Sequence, residues 1–353
     1  MINGNRGRHF NHFILSFGCA AIMGIICIEI LLKREPIIIK SFRQINSSNT
    51  NNPFFSMTYD GDYGLDDYLK TGSKNAEEYA EIILKETESK LDDISSKEPP
   101  NCSCFTATAP NGDKLFARNL DTGEAIPLNL KTSPSKGYKA ISMVNLVSLS
   151  YDKNNLPEPS SKEISNILGA PFVPMDGMNE NGLGAAILTA ASSKTKINKD
   201  KITINDYALI RMVLDKARNL EEAVSMIKKY NMKFISVPSH FMIADSTGAS
   251  VVIEYVNGEM QTVYNDKVYQ VITNFLIYNS SFIDGEGLDR YKKIETELKD
   301  KNGVLTEKQA MELLSENTIQ GEAQWSAVYN LTQKKVLICV GRDYENAYEF
   351  KLT

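Results

Sequence analysis

A chain of 353 residues with 42% hydrophobic and 24% charged residues has ordinary globular composition, enough for one large domain with appendages, and this argues against wholesale disorder. The net charge of −5, without a basic stripe interleaved with aromatics, gives no reason to expect a nucleic-acid partner. Three histidines (His9, His12, His240) and five cysteines without zinc spacing or a paired framework point to neither a metal site nor a cofactor.

The first predicted element is the run FILSFGCAAIMGIICIEILL at residues 13–32, apolar except for Ser16 and Glu29. Twenty helical residues span about 30 Å, the hydrocarbon thickness of a bilayer. Arg6 and Arg8 precede the run, Lys33 and Arg34 follow it, and no small-x-small cleavage site comes after. A single-pass anchor in the cell membrane is expected. Lys33, Arg34, Lys40 and Arg43 outnumber Arg6 and Arg8, which by the positive-inside rule favours the cytoplasm for the chain beyond the run. A short N-terminal tail with a basic flank is also the pattern of an export signal, and an extracytoplasmic catalytic part is the side expected here.

Residues 41–53, SFRQINSSNTNNP, are polar and read as a flexible linker. Residues 75–94 carry Tyr79, Ile82 and Ile83 at helical spacing, opened by Asn75 and Glu78 in the pattern of a capping box. The expected organisation is therefore an anchor (1–33), a linker with a helical pro-segment (34–101) and a catalytic domain (102–353). Residues 101–121, NCSCFTATAPNGDKLFARNLD, predict two strands around Asn111-Gly112, a pair suited to a type I′ turn. Helices are expected at 160–168 and 206–230. Strands follow over 240–274, punctuated by Thr247-Gly248 and Asn257-Gly258. Helices at 290–298 and 306–314 come next, the second opening with the box Thr306/Gln309, and strands close the chain at 325–329, 335–340 and 347–352. Strands at both ends with helices between give an α+β domain of antiparallel sheets covered by helices.

Two cysteines, Cys102 and Cys104, stand at the start of the hairpin. A thiol nucleophile needs a base, and no histidine is near in sequence. His240 begins a strand, where a histidine is more often a packed sheet residue than a base. Cutting the peptide bond before a cysteine would solve the problem: the new α-amine, with a pKa of about 8, sits on the same residue as the thiol.

Five blocks in order make the sequence resemble the choloylglycine hydrolase group of N-terminal nucleophile (Ntn) hydrolases, which includes conjugated bile acid hydrolases, penicillin V acylases, N-acylethanolamine acid amidase and acid ceramidase. They are the Cys-initiated hairpin with LFARNLD (115–121), MDGMNENGLGAAIL (175–188), HFMIADSTGASVVIEY (240–255), VITN (271–274) and LDRYKKI (288–294). Arg118 lies sixteen residues after Cys102 and Asp121 three further on, the family's two spacings; measured from Cys104 they fail by two.

The resemblance implies an αββα four-layer sandwich. It implies Cys102 as nucleophile with its freed amine as base, Arg118 favouring the thiolate, Asp121 holding the amine, Asn274 donating its side-chain N–H to the oxyanion, and Arg290 completing the polar site. Three departures stand out. Ala117 replaces the family's Gly before Arg118, Thr189 replaces the second oxyanion residue, an Asn or Tyr in relatives, and Cys104 has no counterpart. Thr189 is kept as a substrate-side donor, and Cys104 reads as a small hydrophobe.

The implied reaction is hydrolysis of a linear amide C–N bond of a small N-acyl amide through a thioester, after autoproteolysis before Cys102. An acyltransferase using the same acyl-enzyme, bile salt hydrolase or penicillin acylase activity, and a membrane-anchored binding protein on an inactive hydrolase fold are the alternatives.

Overall fold

The computed structural model describes residues 38–46, 52–87, 100–158, 162–235, 237–278, 286–319 and 323–352. The chain opens with strands β1 (Ile38–Gln44) and β2 (Phe55–Asp60) and helices α1 (Leu65–Thr71) and α2 (Ala76–Thr87). The hairpin β3 (Asn101–Thr108) and β4 (Lys114–Thr122) is followed by β5 (Pro127–Ser133) and β6 (Ala140–Asn145). Two 3₁₀ segments, Leu146–Leu149 and Lys162–Phe172, lead to β7 (Pro174–Asn179), β8 (Leu183–Thr189) and β9 (Thr203–Asn205). Then come α3 (Asp206–Lys216), α4 (Leu220–Ile227), β10 (Asn231–Lys233), β11 (Ser239–Asp245), β12 (Ser250–Val256), β13 (Glu259–Tyr264) and β14 (Val271–Ile272). The chain ends with α5 (Leu288–Asp300), α6 (Glu307–Ser315), β15 (Ala323–Asn330), β16 (Lys335–Val340) and β17 (Tyr348–Lys351).

Among the described residues the strands form a nine-stranded sheet, β1-β2-β5-β6-β7-β8-β11-β12-β13, a six-stranded sheet, β14-β3-β4-β15-β16-β17, and a small β10-β9 pair. The period-2 alternation of a strand shows how these layers stack. On β7, Asp176 faces the six-stranded sheet, where Arg118, Trp325 and Tyr329 all bond to it. The next residue, Gly177, faces the opposite way: an added Cβ would lie 2.8 Å from Leu214 Cδ1 of α3 and 2.5 Å from Ile141 O. Only glycine fits that approach. On β4, Arg118 points between the sheets while Asn119 points outward, its Nδ2 donating to Leu314 O of α6 at 2.8 Å. The order is helix, sheet, sheet, helix. Phe105, Ala117, Val271, Ile294, Leu298 and Leu314 are among the buried residues that seat α5 and α6 on the smaller sheet.

Several sequence expectations are revised. The linker expected at 41–53 is in part strand β1, paired antiparallel with β2. Phe42 stacks on Phe55 with ring centroids 5.5 Å apart, and Asn46 Oδ1 accepts from Phe54 N–H at 2.7 Å, so an outwardly polar run is fastened by one aromatic and one amide. The expected pro-segment is built into the body: Tyr63 donates to Asp215, whose carboxylate pairs with the buried Arg211 at 2.8 Å, and Tyr79 donates to Phe172 O at 2.7 Å. The hairpin turn is not type I′. Pro110 pre-sets the first corner of a turn closed by Gly112 N–H to Ala109 O at 2.8 Å, and Gly112 takes the left-handed position with φ 93°. By contrast Asn257 and Gly258, at φ 53° and 89°, do make the two-residue turn between β12 and β13.

The helix expected at 206–230 is two helices, because Asn219 starts a new one by accepting from Glu222 N–H at 3.0 Å. The box at Asn75 is half formed: Asn75 Oδ1 accepts from Glu78 N–H at 2.8 Å, but Glu78 reaches back one residue further, to Lys74 N–H. At Thr306 both reciprocal bonds are present. Thr306→Ala is expected to cost about 1 kcal/mol of stability, read from denaturant midpoints. Among the described residues no helix is long and apolar enough to cross a membrane, and the run 13–32 lies outside the described residues.

Candidate active site

The β3–β4 ladder pairs Asn101 with Asp121, Cys102 with Leu120 and Cys104 with Arg118. Residues two apart share a face, so both thiols and Arg118 point into the space between the sheets. Arg118 is fully buried. Its Nη2 lies 3.5 Å from Cys102 Sγ and donates to Ile187 O at 3.1 Å, while its Nη1 donates to Asp176. Asp176 in turn accepts from Trp325 Nε1 at 3.1 Å and from the Tyr329 hydroxyl, and the Trp325 ring lies 5.7 Å from the guanidinium carbon. Three donors on one buried carboxylate offset the cost of taking both charges out of water.

A second arginine serves the backbone of the same residue. Arg290, near the start of α5, donates from Nη1 to Cys102 O and to Ser103 Oγ (3.0 Å), and from Nη2 to Asn274 Oδ1 (2.8 Å). Asn274 Oδ1 also accepts from Cys102 N–H at 2.9 Å. Two donors on the oxygen fix the amide's orientation, and its Nδ2 donates to Thr189 O at 3.0 Å. With the Asn101–Cys102 bond intact, the Asn274 N–H expected to face an oxyanion is therefore held by a carbonyl. The Thr189 hydroxyl, by contrast, is buried without a hydrogen-bond partner. Asp121 is fully buried across the ladder from Asn101, and its negative charge acts on the Cys102 thiol.

Thus Cys102, Arg118, Asp121, Asn274, Arg290 and Thr189 all fall in one neighbourhood. The thiol is not held as a thiolate by its surroundings: burial pushes the Cys102 pKa up, and Arg118 and Arg290 only partly oppose this. Burial pushes Cys104 well above the usual thiol range too. His240 is a packed sheet residue. Its Nε2 bonds Thr273 O at 2.8 Å and its Nδ1 bonds Glu254 Oε1 at 3.1 Å, while Glu254 accepts from the N–H groups of Ile277 and Tyr278 at 2.8 Å each. Together they brace the stretch that carries Asn274.

Sequence reasoning passed over Asp176 although it lies in the 175–188 block. Its signal was a carboxylate inside an apolar strand, which burial obliges to find a cation. A cavity of about 30 Å³, room for roughly one water, lies beside the cluster and is lined by Pro100, Leu120, Ile187, Thr189 and Tyr207 among others. Among the described residues no group of His, Cys, Asp or Glu is clustered to hold a metal ion.

Comparison with known proteins places this arrangement. A family model described as linear amide C-N hydrolases, choloylglycine hydrolase family, matches residues 102–319, starting at Cys102 itself. A penicillin V acylase from Pectobacterium atrosepticum is 36% identical over 113 residues, covering 28% of this chain and 29% of that protein. A bile salt hydrolase/transferase from Clostridium perfringens is 28% identical over 188 residues, covering 49% of this chain and 53% of that protein. The chain thus spans about half or less of the curated relatives it matches. Among solved structures, a conjugated bile acid hydrolase from Clostridium perfringens superimposes with a TM-score of 0.51 at 17% identity, covering 71% of this chain and 92% of that one, a likeness of fold. The family match spans well over half of the sequence, and with it the chain belongs to the choloylglycine hydrolase family of linear amide C–N hydrolases.

Proposed function

We propose that the protein hydrolyses the amide bond of a small N-acyl amide through an N-terminal cysteine, Cys102, released by self-cleavage of the Asn101–Cys102 bond. One observation carries this reading: the thiol and the nitrogen of the same residue are each held by separate polar groups. Arg118 Nη2 lies 3.5 Å from the sulfur, and Asn274 Oδ1 accepts from the nitrogen at 2.9 Å. No imidazole takes part. In the uncut chain Cys102 Sγ attacks the Asn101 carbonyl, the acyl group moves from nitrogen to sulfur, and water releases residues 1–101 as a carboxylate. The freed amine then stays beside Asn274 Oδ1 and within the field of Asp121, placed to take the thiol proton and later to return a proton to the leaving amine.

Arg118 and Arg290 lower the cost of charge on the sulfur, which burial otherwise raises. Thr189 Oγ1 donates to the oxyanion, and the Asn274 N–H joins it on turning from Thr189 O; one such donor contributes about 3 kcal/mol. Cleavage also frees the Pro100 wall of the small cavity, opening apolar Leu120, Ile187 and Tyr207 to an acyl group. A mass spectrum of the purified protein tests the reading: it is expected to show a mature chain beginning at Cys102, and a fully active uncut chain would sink it. Adding an amine acceptor to the assay separates hydrolysis from acyl transfer by the product formed.

The released segment is expected to stay bound. It carries β1 and β2 of the nine-stranded sheet and buries Tyr59, Tyr63, Tyr68 and Tyr79, so the two fragments should co-elute in gel filtration and separate only in denaturant. The apolar run 13–32 supports a membrane location for the enzyme. Because β1 begins at Ile38, a deletion testing this should stop at residue 37. It is expected to spare turnover of water-soluble amides and to lower that of long-chain amides presented in vesicles; equal loss on both would count against the anchor.

A further inference from the structure

One face of the molecule collects lysines that the chain does not neutralise. Residues 194–201 carry Lys194, Lys196, Lys199 and Lys201, and Lys228 follows α4; all five are exposed. Asp200 in the same segment and Glu259 beside it are the opposing carboxylates. Lys216 pairs with Asp66, Lys267 with Glu295 and Lys301 with Glu297, whereas among the described residues none of these five has an ion-pair partner. On a chain of net charge −5 this is a segregated positive field.

The lysines stand on a fixed platform. Asn231 Nδ2 donates to Asn198 O (2.7 Å) and Lys201 O (2.9 Å), and its Oδ1 accepts from Asn198 N–H (2.9 Å). Lys194 N–H donates to Tyr255 O at 2.9 Å, and the Lys201 ammonium donates to Lys228 O at 2.7 Å, tying the two segments together. An open cleft of about 690 Å³ lies between them, with Met232, Tyr255 and Met260 in its lining. Two isoleucines interrupt the charge: Ile197 is 48% exposed and Ile202 37% exposed.

We propose that this face docks on an anionic phospholipid surface, the lysines meeting the headgroups and Ile197 and Ile202 entering the boundary between headgroups and acyl chains. Unpaired cations around exposed aliphatic side chains match a partner that is anionic outside and apolar beneath. A nucleic acid is the poorer fit, since Tyr255 is buried and Tyr230 half-buried, so neither offers an open stacking face. The placement gives docking a use. Lys194 follows Thr189 by five residues, so the patch continues from the end of β8 that lines the small cavity, and docking brings that end of the molecule to the bilayer. The inference rests on this surface and is independent of the chemistry proposed for Cys102.

Ile197→Trp in the full chain makes the face visible, because Trp325 is the sole natural tryptophan and is fully buried. On vesicles of equal parts phosphatidylserine and phosphatidylcholine, the new emission is expected to shift to the blue and to be quenched by brominated acyl chains. At about 1 M salt, where the screening length falls to about 3 Å, the shift should vanish. Changing Lys194, Lys196, Lys199 and Lys228 to Gln in that background should weaken partitioning more than tenfold, since one lysine near an anionic surface contributes roughly fivefold. An equal shift on pure phosphatidylcholine would overturn charge-driven docking. Vesicle adsorption without any shift would place the contact elsewhere, in residues 13–32, and overturn the proposal. So would a shift with a polynucleotide and none with vesicles.

Discussion

Cys102→Ala is expected to leave the chain uncut and without amide turnover, while Cys104→Ala is cut normally and keeps most of the wild-type rate. The two thiols share a face of β3 and are both fully buried, so neither burial nor direction separates them. What separates them is their polar surroundings. Arg118 Nη2 lies 3.5 Å from the Cys102 sulfur, and Cys102's own N–H and C=O are taken by Asn274 and Arg290. Cys104 sits opposite Arg118 in the ladder, two residues further along β3 from these contacts. Removing the nucleophile from a hydrolase costs on the order of a millionfold in kcat. Removing a small buried thiol costs packing alone, about 1 kcal/mol for a cavity of methyl size. A denaturing gel shows one band or two, and a rate assay completes the comparison. If Cys104→Ala were inactive and Cys102→Ala active, Arg118 and Asp121 would lose the register on which their roles depend.

Much of this site was legible in the sequence because its parts lie on one hairpin. Cys102, Arg118 and Asp121 sit at spacings that a β-ladder converts directly into neighbours, and Asn111-Gly112 announced a reversal between the strands even though Pro110 decided its type. Asn274 and Arg290 came from ordered blocks far along the chain, and the fold brings both to the Cys102 backbone. Asp176 was not legible in the same way. Its partners Arg118, Trp325 and Tyr329 come from another sheet, and a strand pattern says which face a residue occupies but not what lies across the layer. The same holds for β1, whose polar sequence hides an edge strand fastened by Phe42 on Phe55. His240 was legible as a packed sheet residue, but its bonds to Glu254 and Thr273 form only when β11, β12 and β14 are assembled.

Asp176→Ala is expected to destabilise the protein by about 3–5 kcal/mol, the scale for stripping one partner from a buried ion pair. Both side chains are fully buried, so solvent does not compensate Arg118, and the Trp325 N–H and the Tyr329 hydroxyl lose their acceptor as well. These costs belong to one network and do not simply add. The same change should act on the thiol in the opposite sense. In the intact site burial holds the Cys102 pKa up, and the guanidinium that opposes it divides its attraction between the sulfur and Asp176. Without the carboxylate, the charge of Arg118 falls on the sulfur alone, and the folded fraction should reach its thiolate form at lower pH. Urea unfolding reads the first effect. The pH midpoint of Cys102 alkylation, followed by peptide mass in the Asp176→Ala chain and in the parent, reads the second. A double change, Arg118→Met with Asp176→Leu, removes both charges and is expected to recover part of the stability, with no activity. Unchanged stability in the single variant would show that the pair does not hold the sheets together, and an alkylation midpoint that stays or rises would show that Asp176 does not govern how Arg118 acts on the thiol.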